Sequence, residues 1–175
     1  MQDGNKRSRF ELLVVPHLPA AYNLARWLIR NDHDAEDVVQ EAYLRAYRFF
    51  DSFHGADGRA WVLAIVRNTC YTWLQKNRRQ SVAIEEEMVE LQDTRPNPEA
   101  LQMGKVDQQL LRQALEDLPE EFREAIVLRE LEGLSYKEIG AITGVPIGTV
   151  MSRLARARHR LEKALTARTS RGGIA

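Results

Sequence analysis

Two stretches of the chain combine basic side chains with groups that stack on or hydrogen-bond to a nucleic acid. Residues 59–80 carry five basic side chains and no acidic one. These are Arg59, Arg67, Lys76, Arg78 and Arg79, with Trp61, Tyr71 and Trp73 interleaved. Cations neutralise phosphates, and aromatic faces take up unstacked bases at about 1–3 kcal/mol per base. Trp61 and Trp73 have the spacing of core anchors, and helix aromatics are more often core than platform. Tyr71 and the basic residues therefore carry this reading. Residues 133–175 hold eight basic and two acidic side chains. Between the two lies an acidic block, residues 81–132, with fourteen acidic and five basic groups. The chain as a whole is neutral, but two separated basic blocks act locally on polyanions whatever the total charge. Solvated helix faces are the plain alternative for either block alone.

Other chemistry finds little support. His17, His33, His54, His159 and Cys70 are scattered without ligand spacing, so no metal site is expected. No Ser/His/Asp grouping and no phosphate-cradling glycine loop is present, so neither catalysis nor a cofactor is expected. The lone Cys70 excludes an internal disulfide and reads as a small core residue. The longest apolar run, Ala60 to Val66, is far short of the roughly 18 residues of a membrane helix. The N-terminal segment is too short and too acidic for a signal peptide. A cytoplasmic protein without membrane insertion is the expectation.

The elements that must position these groups are helical. A composition of 44% hydrophobic and 29% charged residues suits a packed chain of 175 residues. Ala20 to Arg30 carries an apolar stripe of Tyr22, Leu24, Ala25, Trp27 and Leu28 behind Pro19. From Asp34, read as an N-cap, to Phe50, Val38, Val39, Ala42, Tyr43, Ala46 and Tyr47 recur every three or four residues. Asp37, Gln40, Glu41, Leu44, Arg45 and Arg48 fall on or beside the other face. Asp51 to Gly58 reads as a loop, and a third helix runs from about Arg59 to Arg79, anchored by Trp61, Ile65, Val66 and Trp73. From Gln80 the pattern fails in an acidic, proline-bearing linker. Periodicity returns through Leu110, Leu111, Ala114, Leu115 and Leu118. Pro119 opens a helix over Glu120 to Glu132, which Gly133 closes. The expected fold is all-α, two small helical domains joined by a flexible acidic linker.

Tyr136 to Arg156 has the grammar of a helix-turn-helix. Ser135 and Glu138 have capping-box spacing. Ile139 and Ile142 face inward, and Gly144 permits the tight turn. Pro146 is expected as the first residue of the second helix. Val150 and Leu154 bury one side of that helix, leaving Thr149, Ser152, Arg153 and Arg156 on the other. Such a helix fits the major groove of DNA, where Arg reads guanine and Ser reads either partner. A plain helical hairpin with a basic surface is the alternative.

The segment GVPIGTVMSRL, Gly144 to Leu154, resembles region four of the extracytoplasmic-function sigma factors of bacterial RNA polymerase. Two further segments resemble region two of the same family: DAEDVVQEAYLRAYR, Asp34 to Arg48, its polymerase-binding helix, and AWVLAIVRNTCYTWL, Ala60 to Leu74, its promoter-opening helix. The resemblance implies a region-two domain over 10–79, a linker over 80–104 and a region-four domain over 105–168. It implies promoter-specific initiation: Asp37, Gln40 and Glu41 would meet the clamp of the largest polymerase subunit. Arg67, Asn68, Tyr71, Lys76, Arg78 and Arg79 would serve the −10 element. Thr149, Ser152, Arg153 and Arg156 would read the −35 element. Met151 stands where many relatives have Lys or Arg, which points to a different −35 preference. The implied partners are core polymerase, promoter DNA and an anti-sigma factor. Two alternatives stay open on the residues alone: a dimeric helix-turn-helix regulator, and a helical adaptor that binds a protein partner.

Overall fold

The computed structural model describes residues 2–84 and 103–172. The expected linker over 80–104 lies, but for its ends, outside the described residues. Every regular element among them is a helix.

The first domain is built from α1 (Gln2–Leu13), α2 (Leu18–Ile29), α3 (Asp32–Phe49) and α4 (Arg59–Ile84). Helices α2, α3 and α4 pack against one another around Leu24, Leu28, Val38, Ala42, Leu63 and Val66, all at most 1% exposed. The anchors of α4 are Val62, Leu63, Val66 and Cys70. Trp61, Ile65 and Trp73, expected as anchors, lie half-buried at the rim of this core.

Asn31, not Asp34, caps α3: its side-chain oxygen accepts the Asp34 backbone N–H at 3.0 Å. Arg30, at φ 64°, ends α2 in the left-handed region. Capping at Asn31 starts the new helix directly after that reversal. It also brings Asp32 into the first turn beside Asp34, where the helix dipole favours negative charge.

The segment 51–58 is held rather than loose. Phe53 is buried, its ring 5.0 Å from Trp61 and 6.0 Å from Phe50. The side chain of Asp57 accepts the Arg59 N–H at 3.0 Å, at the start of α4.

The second domain contains α5 (Met103–Glu116), α6 (Glu120–Ile126), α7 (Tyr136–Thr143) and α8 (Ile147–Gly172). Helix α8 packs against α5, α6 and α7. A π turn, Val127–Leu131, continues α6. Arg123 is 2% exposed, and its Nη1 donates to the carbonyls of Glu116 (3.0 Å) and Leu118 (2.8 Å). Glu116 ends α5 and Leu118 lies in the connection to α6, so the guanidinium ties the helix end to the turn that follows it.

The two domains are docked. Helix α4 contacts α7, α2 contacts α6, and one connected apolar cluster runs through both halves. Polar links cross the same boundary, among them Asn23 Nδ2 to Glu132 Oε1 at 2.7 Å, Arg30 Nη1 to the Glu116 carbonyl at 3.0 Å, and Arg59 Nη2 to Glu138 Oε2 at 2.9 Å.

Candidate nucleic-acid interface

The helix-turn-helix is assembled from local signals. Ser135 accepts the Glu138 N–H at 3.1 Å, and the Glu138 carboxylate accepts the Ser135 N–H at 3.0 Å, a complete capping box. The Ser135 backbone hydrogen bond, then the one from Arg59, holds the Glu138 carboxyl below its ordinary value of 4.5. Gly144 ends α7 at φ 73° with open space around it. At Gly140 the constraint is contact instead. An added Cβ there would lie 2.9 Å from the Val145 carbonyl oxygen, so the turn closes against a bare backbone.

Helix α8 begins at Ile147 rather than at Pro146. The Pro146 carbonyl accepts the N–H groups of Thr149 (3.0 Å) and Val150 (3.1 Å), so proline caps the helix from just outside it. Val150, Leu154 and Ala157 are at most 1% exposed and fix the rotation of α8. That rotation leaves Met151, Ser152 and Arg156 exposed, with Thr149 and Arg153 half-buried beside them. Arg153 leans onto α6, its Nη2 3.8 Å from Glu121 Oε2.

On α3, the rotation set by Ala35, Val38, Val39, Ala42 and Ala46 leaves Asp37, Gln40, Glu41, Leu44, Arg45 and Arg48 exposed. Arg45 donates to Glu41 at 2.8 Å across one turn. Leu44, at 72% exposed, puts an apolar side chain amid these polar ones.

The α4 residues expected to serve the −10 element divide into two groups. Asn68, Lys76, Arg78 and Arg79 are exposed. Arg67 and Tyr71 are half-buried and turned onto the second domain. Arg67 Nε donates to Glu124 Oε1 at 2.6 Å, and the Tyr71 hydroxyl donates to Glu124 Oε2 at 2.8 Å. The Arg67 guanidinium also lies 4.0 Å from the centre of the Tyr71 ring. One turn earlier on α6, Glu120 pairs with Arg78.

Glu124 is fully buried. Burial pushes its carboxyl above the ordinary value, against the lowering pull of the Arg67 hydrogen bond. Burial and the Glu124 charge likewise raise the Tyr71 phenol. No short-range pattern in the sequence marks Glu120 and Glu124 as partners of α4. The usable signal was position: Glu124 shares a helix stripe with the buried Val127 and Leu128, three and four residues on.

Cys70 is fully buried, its thiol pushed up to about 12 by burial, which keeps it in the unreactive thiol form. Among the described residues, no group of His, Cys, Asp and Glu side chains is arranged to hold a metal ion.

Two family models match the chain in order. Residues 13–80 match "Sigma-70 region 2" and residues 108–161 match "Sigma-70, region 4". The chain is 36% identical over 171 residues to the ECF RNA polymerase sigma-E factor of Escherichia coli K12, covering 93% of this chain and 88% of that protein. The chain belongs to the extracytoplasmic-function sigma factors.

It is also 37% identical over 159 residues to the sigma factor SigE of Mycolicibacterium smegmatis, covering 90% of this chain and 62% of that one. Among solved structures, the sigma factor RpoE of Bartonella quintana, in complex with the anti-sigma factor NepR, aligns with a TM-score of 0.72 at 35% identity. That match covers 87% of this chain and 94% of RpoE. CnrH, in complex with the cytosolic domain of CnrY, aligns with a TM-score of 0.65 at 25% identity, covering 92% and 90%. This sigma factor therefore directs promoter-specific transcription initiation by RNA polymerase, as a member of a family of non-catalytic specificity subunits. No helix among its described residues is long and apolar enough to cross a membrane.

Proposed function

We propose that the chain divides its work among three surfaces. The exposed face of α3, with Asp37, Gln40 and Glu41, binds the clamp of core polymerase. Arg67, Asn68, Tyr71, Lys76, Arg78 and Arg79 on α4 engage the −10 element and its opened strand. Thr149, Ser152, Arg153 and Arg156 on α8 read the −35 element in the major groove. The working units are a region-two domain over 10–79 and a region-four domain over 105–168, joined across 80–104, in a cytoplasmic protein.

The observation that carries the reading is the helix-turn-helix. Its capping box and turn glycines fix α8 so that Ser152 and Arg156 stand exposed beside Arg153, over a fully buried Val150 and Leu154. Side chains aimed this way from the first turns of a helix make bidentate contacts to base edges. On α4, opening a duplex costs a few kcal/mol per unstacked base. A cationic stripe with a tyrosine face offsets that cost.

One solved relative, RpoE of Bartonella quintana, was captured with the anti-sigma factor NepR. That supports regulation of this chain by such an inhibitor, which would cover the α3 face that polymerase needs. Competition for a single surface requires no separate allosteric site.

The deciding experiment adds the purified chain to core polymerase on templates with intact or scrambled −10 and −35 elements. Transcripts that require both elements support the assignment. Affinity of the chain alone for a palindromic duplex, without promoter-dependent transcripts, overturns it in favour of a dimeric regulator.

A further inference from the structure

The exposed side of α8 changes character along its length. Beyond Ala155 it is almost wholly polar, with Arg156, Arg158, His159, Arg160, Glu162 and Lys163 exposed. Its first two turns carry large apolar side chains instead. Ile147 and Met151 stand 47% and 53% exposed, four residues apart and so one above the other. Gly148 beside them has open space around it, and Ala155, one turn beyond Met151, is exposed. Neither carries a side chain long enough to cover the pair. Arg158, two turns from Met151 on the same flank, is held by Glu130 at 2.7 Å. That cation is engaged with the π turn rather than lying over Met151.

We infer that Met151, flanked by Ile147, reads the C5-methyl group of a thymine in the −35 element. This rests on the reading of α8 as the helix that enters the major groove of that element.

Single apolar residues scattered over a surface call for no explanation. A pair on the leading turns of a groove-entering helix is different, because of what the groove offers. Base-pair edges there present hydrogen-bond donors, acceptors and one apolar group, the thymine methyl. Met151 has no donor for guanine, and covering a polar base edge with it would strip that edge of water without replacing the hydrogen bond. Against a thymine methyl, two apolar surfaces leave water together. An unbranched, polarisable thioether adapts its shape to such a contact. Ser152 and Arg156, exposed on the neighbouring flank, bring hydrogen-bonding groups to adjacent base pairs. Because Met151 is neutral, it acts on base choice rather than on the salt-dependent phosphate attraction.

The test uses the full chain with core polymerase on duplex templates. Initiation from a library randomised across the −35 element first gives the preferred sequence. Each thymine in it, on either strand, is then replaced singly by deoxyuridine, which keeps the base pairing and removes only the methyl. The parent is compared with Met151→Ala and Met151→Leu at several salt concentrations. Circular dichroism and thermal unfolding confirm that both variants keep the fold.

The expected result is a preferred element with at least one thymine at which uracil lowers initiation by the parent by about threefold to fourfold, the effect of one buried methyl. Met151→Ala should lose a comparable factor on the thymine template and treat thymine and uracil alike at that position. Met151→Leu should keep the discrimination, and neither variant should change the salt dependence. A preferred element without thymine, no methyl effect in the parent, or the same methyl effect in Met151→Ala overturns the inference. Where scrambling the −35 element still abolishes initiation, such a result leaves α8 as the −35 reader. Insensitivity to scrambling removes that role and the inference together. A loss in Met151→Ala that is equal on thymine and uracil templates, with no methyl effect in the parent, assigns the pair to a protein contact and overturns the inference too.

Discussion

Gly140 and Gly144 shape the same turn by different means, and substitution separates the two. At Gly144 the backbone is left-handed at φ 73°, with nothing within 4 Å of an added Cβ. Gly144→Ala therefore costs only the conformational penalty of an L-residue there, about 1–2 kcal/mol. In a chain of this size each kcal/mol lowers the melting temperature by roughly 2–4 °C. Gly144→Asn should cost less, because a short polar side chain tolerates this region. At Gly140 the backbone is ordinary helix, where alanine is intrinsically favoured by about 1 kcal/mol. Here the new Cβ would lie 2.9 Å from the Val145 carbonyl oxygen, which is backbone and cannot swing aside. Gly140→Ala must therefore push α7 away from the start of α8 and tilt the recognition helix.

The assay is thermal unfolding of the full chain, together with −35-dependent initiation by the reconstituted holoenzyme. Gly144→Asn should initiate nearly as the parent does, with a small drop in melting temperature. Gly140→Ala should lose −35 dependence out of proportion to its stability change. Equal effects of Gly144→Asn and Gly144→Ala on stability, or an unchanged −35 response in Gly140→Ala, would refute the reasoning.

Gln40→Ala and Glu41→Lys should weaken assembly with core polymerase, by about 2 kcal/mol if either is an interface hot spot, while leaving the melting temperature within a degree or two; a titration against labelled core checks this. Arg156→Ala and Arg153→Ala should each lose about 1–3 kcal/mol of discrimination between intact and scrambled −35 elements. Only Arg153→Ala should also release Glu121 on α6. Because the Glu138 carboxyl is held below its ordinary value by the Ser135 backbone and by Arg59, its ionised form stabilises the fold above that value. The contribution is lost as pH falls from the ordinary value through the depressed one. The stability gap between the parent and Glu138→Gln, measured by urea unfolding, should be open at about pH 7 and narrow toward about pH 3.

What the sequence determined by itself is what neighbours along the chain decide. The stripe of α3, the capping box at Ser135 and Glu138, the reversal at Gly144 and the inward Ile139, Ile142, Val150 and Leu154 all involve residues within about a turn of one another. Helical periodicity and backbone sterics report such relations directly. The motifs built on those turns carried the family resemblance. Local rules slipped where two local solutions compete. Asn31 and Asp34 are both competent caps, and the choice went to the residue following the left-handed Arg30.

The tertiary structure alone decided where Arg67, Tyr71 and Arg78 point, and which side chains meet the buried Glu124. The reason is separation: Arg67 and Glu124 are 57 residues apart. Whether a charge faces water or a partner at that distance depends on how two finished domains dock. Helical periodicity placed Glu124 on a buried stripe, but only the docked second domain supplied the arginine and tyrosine that make its burial tolerable.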